Sequence, residues 1–277
     1  MSYTSRLKKI AQYSASVRLI IFISALAILW LPLALPIYWL FQENSNLASI
    51  LTMTLLFVEL LFFWQLWGRL VHQENNIFAR YGLVSSNRNT REFFQGLAIG
   101  NWLCLSLFIT EALFGWIEVI NPATNLSRIT LEGLLSAVGI ALAEELLFRG
   151  WLLDELQRDY GKKTCIGVTA VVYAVAHFLK PIEEIIRTGV TFPALVLLGI
   201  ALVLAKYKHG DRLGISIGIH AGLVWSYYIV NVGELIEYTN LVPAWVTGID
   251  GNPIAGVTGL VFLSGLTWMI VSTDKQR

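Results

Sequence analysis

The sequence predicts an all-α fold, a polytopic membrane helix bundle of about eight transmembrane helices with both termini cytoplasmic. Three observations carry that expectation. Of the 277 residues, 56% are hydrophobic and only 14% charged, which leaves too little polar surface to coat a water-soluble globule. Eight apolar runs each approach the ~20 residues that a helix needs to cross a bilayer. The basic residues gather in alternate connecting segments, as cytoplasmic loops require.

Taken in order, the first run, 19–41, follows Arg6, Lys8, Lys9 and Arg18. It is far longer than a signal-peptide core and is expected to stay in the protein as a helix. Its Pro32 and Pro36 are of the kind that membrane helices accommodate. The second and third runs, 47–70 and 93–119, each carry one acidic residue, Glu59 and Glu111, read as interhelical hydrogen-bonding groups. The fourth, 129–157, holds the densest polar cluster of the chain, and the fifth, 164–180, contains His177. The sixth is 190–206 and the seventh 213–231, where Gly214, Gly218 and Gly222 allow a neighbouring helix to come close. The eighth is 255–272. The chain divides into N-terminal transmembrane helices and loops, 1–124, and a second domain, 125–277.

Sixteen of the twenty Lys and Arg residues fall on one side of this layout, including Arg69, Arg80, Arg88, Arg91, Lys206, Lys208, Lys275 and Arg277. Arg128, Lys180 and Arg187 fall on the other, and Arg149 lies within the fourth span. A net charge of +1 gives no bulk attraction to nucleic acid, so the surrounding partner is the lipid bilayer. Cys104 and Cys165 lie in apolar runs without CxxC spacing and are expected to act as small hydrophobes.

An ionisable side chain at membrane depth costs about 2.5–3.5 kcal/mol on insertion scales, so each one asks for a partner or a water-filled cavity. Five of them gather on the fourth, fifth and seventh spans: Glu144, Glu145, Arg149, His177 and His220. Glu145 and Arg149 share a helix face in the i,i+4 order that favours pairing, whereas Glu144 points about 100° away. Arg149 is expected to neutralise Glu145 and leave Glu144 as the free carboxylate. Tyr173 and His177 share a face in the same way, and small residues flank His220. Counting rise along each span places Glu144 and His177 near mid-membrane and His220 nearer the cytoplasm, so that the three can meet in one cavity.

A carboxylate with two imidazoles can activate a water for attack on an amide, ligate a divalent metal, or relay protons. For hydrolysis, Glu144 is the general base, His177 positions the water and His220 donates to the developing oxyanion. For metal binding, Glu144, His177 and His220 form the ligand set, with zinc or another divalent ion as the cofactor. The same three groups can equally hold water with no metal. The structural alternative is a buried polar clamp between helices.

These residues resemble the CPBP (or ABI) family of intramembrane peptidases, which includes the endopeptidases that trim CAAX-type prenylated proteins. The family pattern places Glu-Glu-x-x-x-Arg, aromatic-x-x-x-His and His-x-x-x-Asn/Asp on successive membrane helices. Here the first is Glu144-Glu145 with Arg149, and the second is Tyr173 with His177, Tyr replacing the more usual Phe. The third begins at His220 but has Val224 at its second position, with Ser226 and Asn231 as the nearest substitute donors. The resemblance covers about 125–272. It implies an intramembrane endopeptidase in which Glu144 activates water, His177 and His220 complete the site, and Glu145, Arg149 and Tyr173 support it. The substrate is then a membrane-bound or lipid-anchored protein or peptide. The departure at Val224 keeps a second function open, a non-catalytic scaffold or partner-stabilising protein that retains the family fold. A GxSxG match at Gly214–Gly218 opens a membrane helix and lacks the strand–turn–helix setting of a nucleophile elbow.

Overall fold

The computed structural model describes residues 3–121 and 125–272. The two chain ends, and with them Lys275 and Arg277, lie outside the described residues. Each apolar run predicted above contains helix. Among the described residues five helical stretches are long and apolar enough to cross a membrane: Ala15–Leu40, Ser45–His72, Asn87–Leu113, Ile182–Lys208 and Gly214–Val232. The protein is an integral membrane protein of helical class.

The helices, in chain order, are α1 (Tyr3–Ile10), α2 (Ala15–Leu40), α3 (Ser45–Trp67), α4 (Ile77–Arg80), α5 (Asn87–Leu113), α6 (Leu126–Glu145) and α7 (Leu153–Gln157). They continue with α8 (Lys162–Ala176), α9 (Ile182–Thr188), α10 (Phe192–Lys208), α11 (Gly214–Val232), α12 (Ala244–Thr247) and α13 (Val257–Ser272). Two short strands, β1 (Ile117–Val119) and β2 (Ile236–Tyr238), pair antiparallel with Ile117 opposite Tyr238.

The chain forms two compact units. One comprises the residues up to Arg80 together with Asp154–Tyr160. In it α2 and α3 pair as an antiparallel hairpin, and Asn44 caps α3 by accepting from the Leu47 amide at 3.0 Å. Phe22 packs on Phe63 and edge-on against Trp67, at centroid distances of 4.6 and 5.3 Å. Pro32 and Pro36 sit inside α2 without breaking it. A buried polar knot joins the segments: Arg18 Nε donates to Glu155 Oε2 at 2.6 Å, and Trp67 Nε1 and His72 Nε2 meet Glu155 Oε1 at 2.8 and 2.6 Å.

The second unit comprises Tyr81–Leu153 and the chain from Gly161 onward. Its spine is the α5–α11 pair. Gly96 and Gly100 on α5 face Gly218 and Gly222 on α11, Gly214 lies against Asn89, and a Cβ added to Gly218 would fall 2.1 Å from the Phe93 carbonyl oxygen. The small-residue stripe expected on the seventh span is therefore a backbone-to-backbone seam, where side chains would hold the helices apart. α6 packs on α11, α8 on α10, and α10 on α13. Pairing of β1 with β2 joins the segments that follow α5 and α11.

Three element boundaries differ from the sequence expectation. The third run was expected as helix to 119, but α5 ends at Leu113, the chain turns at Gly115 with φ of 72°, and 117–119 is strand. The fourth was expected as one helix over 129–157. Instead it passes from α6 through a π-helical stretch, Leu146–Leu152, before α7. The fifth was expected to reach 180, but α8 ends at Ala176. Pro181 has no amide proton to continue the ladder and disfavours helical geometry in the residue before it.

Candidate active site

Glu144 and Glu145 are the last two residues of α6, and Arg149 lies in the π-helical stretch that follows. Such widened turns recur at functional sites because they re-aim side chains. Arg149 Nη1 donates to Glu145 Oε1 at 2.9 Å, both side chains being wholly buried. The Arg149 guanidinium also lies 4.2 Å from the Tyr173 ring centroid, a cation–π contact in a dry setting.

His220 projects from α11 toward the same carboxylate. Its Nδ1 is 2.9 Å from Glu145 Oε1, the oxygen that also accepts from Arg149. An ionised Glu145 accepts from Nδ1–H, so the lone pair of the neutral ring is assigned to Nε2. Nε2 lies 3.8 Å from Glu144 Oε2. That is too far for a direct hydrogen bond and short enough for one water to touch both atoms. Glu144 is 29% exposed at its side chain, yet among the described residues Oε2 itself is buried without a hydrogen-bond partner, as are Glu145 Oε2, Arg149 Nε and Arg149 Nη2. Buried polar atoms without partners are rare in folded proteins and mark where water or the polar groups of a ligand bind.

The structure thus gathers Glu144, Glu145, Arg149, Tyr173 and His220. His177 stands differently. It caps the end of α8, and its Nδ1 is 2.9 Å from the Tyr173 carbonyl oxygen. Its ring stacks edge-on to the Tyr173 ring at 4.7 Å, and that ring meets His220 at 6.4 Å. His177 is exposed and lines a cavity of about 270 Å³ with Lys180, Thr191, Tyr227, Asp250 and Asn252. The expected single cavity shared by Glu144, His177 and His220 is corrected accordingly: His177 opens onto its own pocket across the Tyr173 ring. Among the described residues no group of three or more His, Cys, Asp or Glu side chains is placed to hold a metal ion. The set Glu144, His177 and His220 does not close as a ligand set in this conformation.

The substitute donors expected near Val224 are engaged elsewhere. Ser226 Oγ donates to the Gly222 carbonyl at 3.0 Å and to that of Asn101 at 3.3 Å, within the α5–α11 seam. Asn231 Nδ2 donates to the Tyr227 hydroxyl at 2.6 Å on the surface. Ser216 of the GxSxG match is buried and donates to the Leu202 carbonyl at 2.9 Å. Glu111 accepts from Thr258 Oγ1 at 2.9 Å, the interhelical bond its position suggested.

One supporting residue escaped the sequence reading. Lys206, counted there only as a loop cation, is buried, and its Nζ donates to the carbonyls of Arg149 at 2.5 Å and Tyr81 at 3.0 Å. It holds the π-helical stretch open at the residue that pairs with Glu145. The available signal was a lysine one turn inside the end of an apolar helix, which also fits a snorkelling interface residue.

Residues 126–226, from the start of α6 to the middle of α11, match a family model described as type II CAAX prenyl endopeptidase Rce1-like. The match covers all three motifs and agrees with the family resemblance that they carry. No curated protein and no solved structure matches the chain.

Proposed function

With residues 126–226 matching the CAAX prenyl endopeptidase family, we propose that the chain is an intramembrane endopeptidase that cleaves a membrane-bound or lipid-anchored protein or peptide with a glutamate-activated water. The observation that carries this reading is the pair of Glu144 Oε2 and His220 Nε2, 3.8 Å apart. A water there gives its proton to Glu144 as its oxygen attacks the scissile carbonyl carbon. The C–N bond then breaks, and the amine leaves with the proton returned by Glu144. His220, oriented through Nδ1 by Glu145, supports the oxyanion as an Nε2–H donor when its ring carries the second proton. His177 bounds the neighbouring pocket and positions the substrate or water from that side.

The eight helical runs cross the bilayer eight times, both termini are cytoplasmic, and 125–277 is the peptidase domain. Cysteine accessibility in oriented vesicles tests the orientation, with Lys163→Cys expected to label from the cytoplasmic side and Arg128→Cys from the other.

Proteolysis by the purified full chain in vesicles, on a library of membrane peptides, tests the chemistry. Glu144→Ala is expected to abolish cleavage and leave the fold intact, with a chelator arm reporting on metal. Retained hydrolysis in that variant rejects Glu144 as the base. Val224, with Ser226 and Asn231 engaged elsewhere, favours one second reading, a partner-stabilising scaffold. It predicts that Glu144→Gln keeps the cellular phenotype and partner binding.

A further inference from the structure

A second site, lined on α11 by Ile215 and Ile219, lies apart from Glu144 and His220. There α5, α10, α11 and α13 line a cavity of about 1300 Å³ with a charged mouth. Arg88, Arg91 and Lys208 stand at the mouth beside Glu92 and His209. Glu92 adds little net negative charge, because Arg212 holds it through two bonds of 2.5 and 2.8 Å and Arg88 Nε reaches it at 3.2 Å. Lys208 Nζ donates to the Ile270 carbonyl at 2.9 Å. Arg91 is exposed, and among the described residues its guanidinium has no hydrogen bond or ion pair. The mouth is therefore net positive, and Arg91 turns unused donors into it.

Deeper along the same helices the lining changes character. Ala98, Ile99, Leu266 and Met269 belong both to this cavity and to an adjoining groove of about 650 Å³. That groove continues past Trp102 and Phe262 and is apolar almost throughout. Cationic mouth and apolar groove form one continuous trough along α5. From Arg91 to Ser106 it runs fifteen residues, or ~22 Å at 1.5 Å per residue. One leaflet of hydrocarbon is ~15 Å deep, half of a ~30 Å core, and the rest of the length matches a headgroup.

We propose that this trough binds an anionic glycerophospholipid, its phosphate on Arg91 and Arg88 and one acyl chain laid along Ala98, Ile99, Leu266 and Met269. Both ends are needed to choose this occupant. A free phosphate satisfies the mouth and leaves the groove uncovered, whereas an uncharged hydrocarbon leaves Arg91 without an anion. The trough shares no residue with the Glu144 site, so the proposal stands apart from the catalytic reading.

The test is native mass spectrometry of the full chain reconstituted in vesicles of equal phosphatidylglycerol and phosphatidylcholine, then extracted in mild detergent. Wild type and Glu144→Ala are both expected to retain one phosphatidylglycerol, with about tenfold preference over phosphatidylcholine, the scale set by one to two basic side chains at an anionic surface. Arg88→Gln with Arg91→Gln should remove the preference without affecting the fold, since both side chains are exposed. Ala98→Trp should block the groove and lose the lipid with the cations still in place. Equal retention of the two lipids, or a preference that survives both variants, overturns the proposal. Displacement by glycerol phosphate alone makes this a phosphate site and overturns it too. One-for-one displacement by a prenylated peptide reassigns the trough to substrate and does the same.

Discussion

His220 Nδ1 and Arg149 Nη1 both lie 2.9 Å from a single oxygen, Glu145 Oε1. Glu145 is thus an orienting group for the imidazole as much as a counter-ion for the guanidinium. Its charge fixes which His220 nitrogen faces Glu144. Glu145→Gln keeps the size of the side chain but removes the charge. The neutral amide offers either an oxygen or an NH₂ group to Nδ1, so His220 is no longer held in one tautomer. Turnover is expected to fall by ~10²–10⁴-fold, with KM little changed. Steady-state cleavage kinetics check this, and wild-type turnover in Glu145→Gln would remove the orienting role.

Lys206 gives a second prediction. Lys206→Met preserves the apolar stem and removes the ammonium that binds the Arg149 and Tyr81 carbonyls. Each buried carbonyl left without a donor costs about 1–3 kcal/mol. The variant is expected to unfold at lower temperature in detergent and to lose activity through the displaced π-helical stretch. A double-mutant cycle with Arg149→Met separates these effects, because coupling is expected only if Lys206 acts through Arg149. Additive losses would show that Lys206 merely stabilises.

His177 is expected to matter less than His220. Its Nδ1 is committed to the Tyr173 carbonyl, and its ring borders the pocket that contains Lys180, Tyr227 and Asp250. Arg187 bridges to Asp250 at 2.5 and 2.8 Å, tying α9 to the 249–251 turn at that pocket. His177→Ala should therefore raise KM and reduce kcat only partly, whereas His220→Ala should nearly abolish kcat. Identical losses in the two variants would place His177 on the reacting atoms instead.

What was legible in the sequence divides by range. The apolar runs and the Glu145–Arg149 pair depend on spacing within one segment, and 3.6-residue periodicity is local information. The Gly214, Gly218 and Gly222 stripe announced a close helix contact but not that α5 supplies the other face. His177 was placed at mid-membrane by counting rise along a helix expected to reach 180, and the early stop of α8 before Pro181 moved it to a helix end. The β1–β2 pairing and the Lys206 bond to Tyr81 join residues more than a hundred positions apart, and no local pattern encodes such pairings.

The α5–α11 seam supports the strongest structural prediction. A Cβ at Gly218 would stand 2.1 Å from the Phe93 carbonyl oxygen and 2.7 Å from the Leu97 amide nitrogen, both backbone atoms that no rotamer change can move. Gly218→Val must therefore push α11 away from α5, with an overpacking cost of at least about 2 kcal/mol. His220 lies two residues further along α11, so the displacement also draws its ring away from Glu145. Gly139, on α6, is the matched control, because a Cβ there meets nothing within 4 Å. Gly139→Ala should be neutral, or more stable by about 0.5–1 kcal/mol from the lost backbone freedom of glycine. Thermal unfolding and cleavage assays on both variants decide the matter. A Gly218→Val protein as stable and active as wild type would mean that the seam does not hold His220 in place.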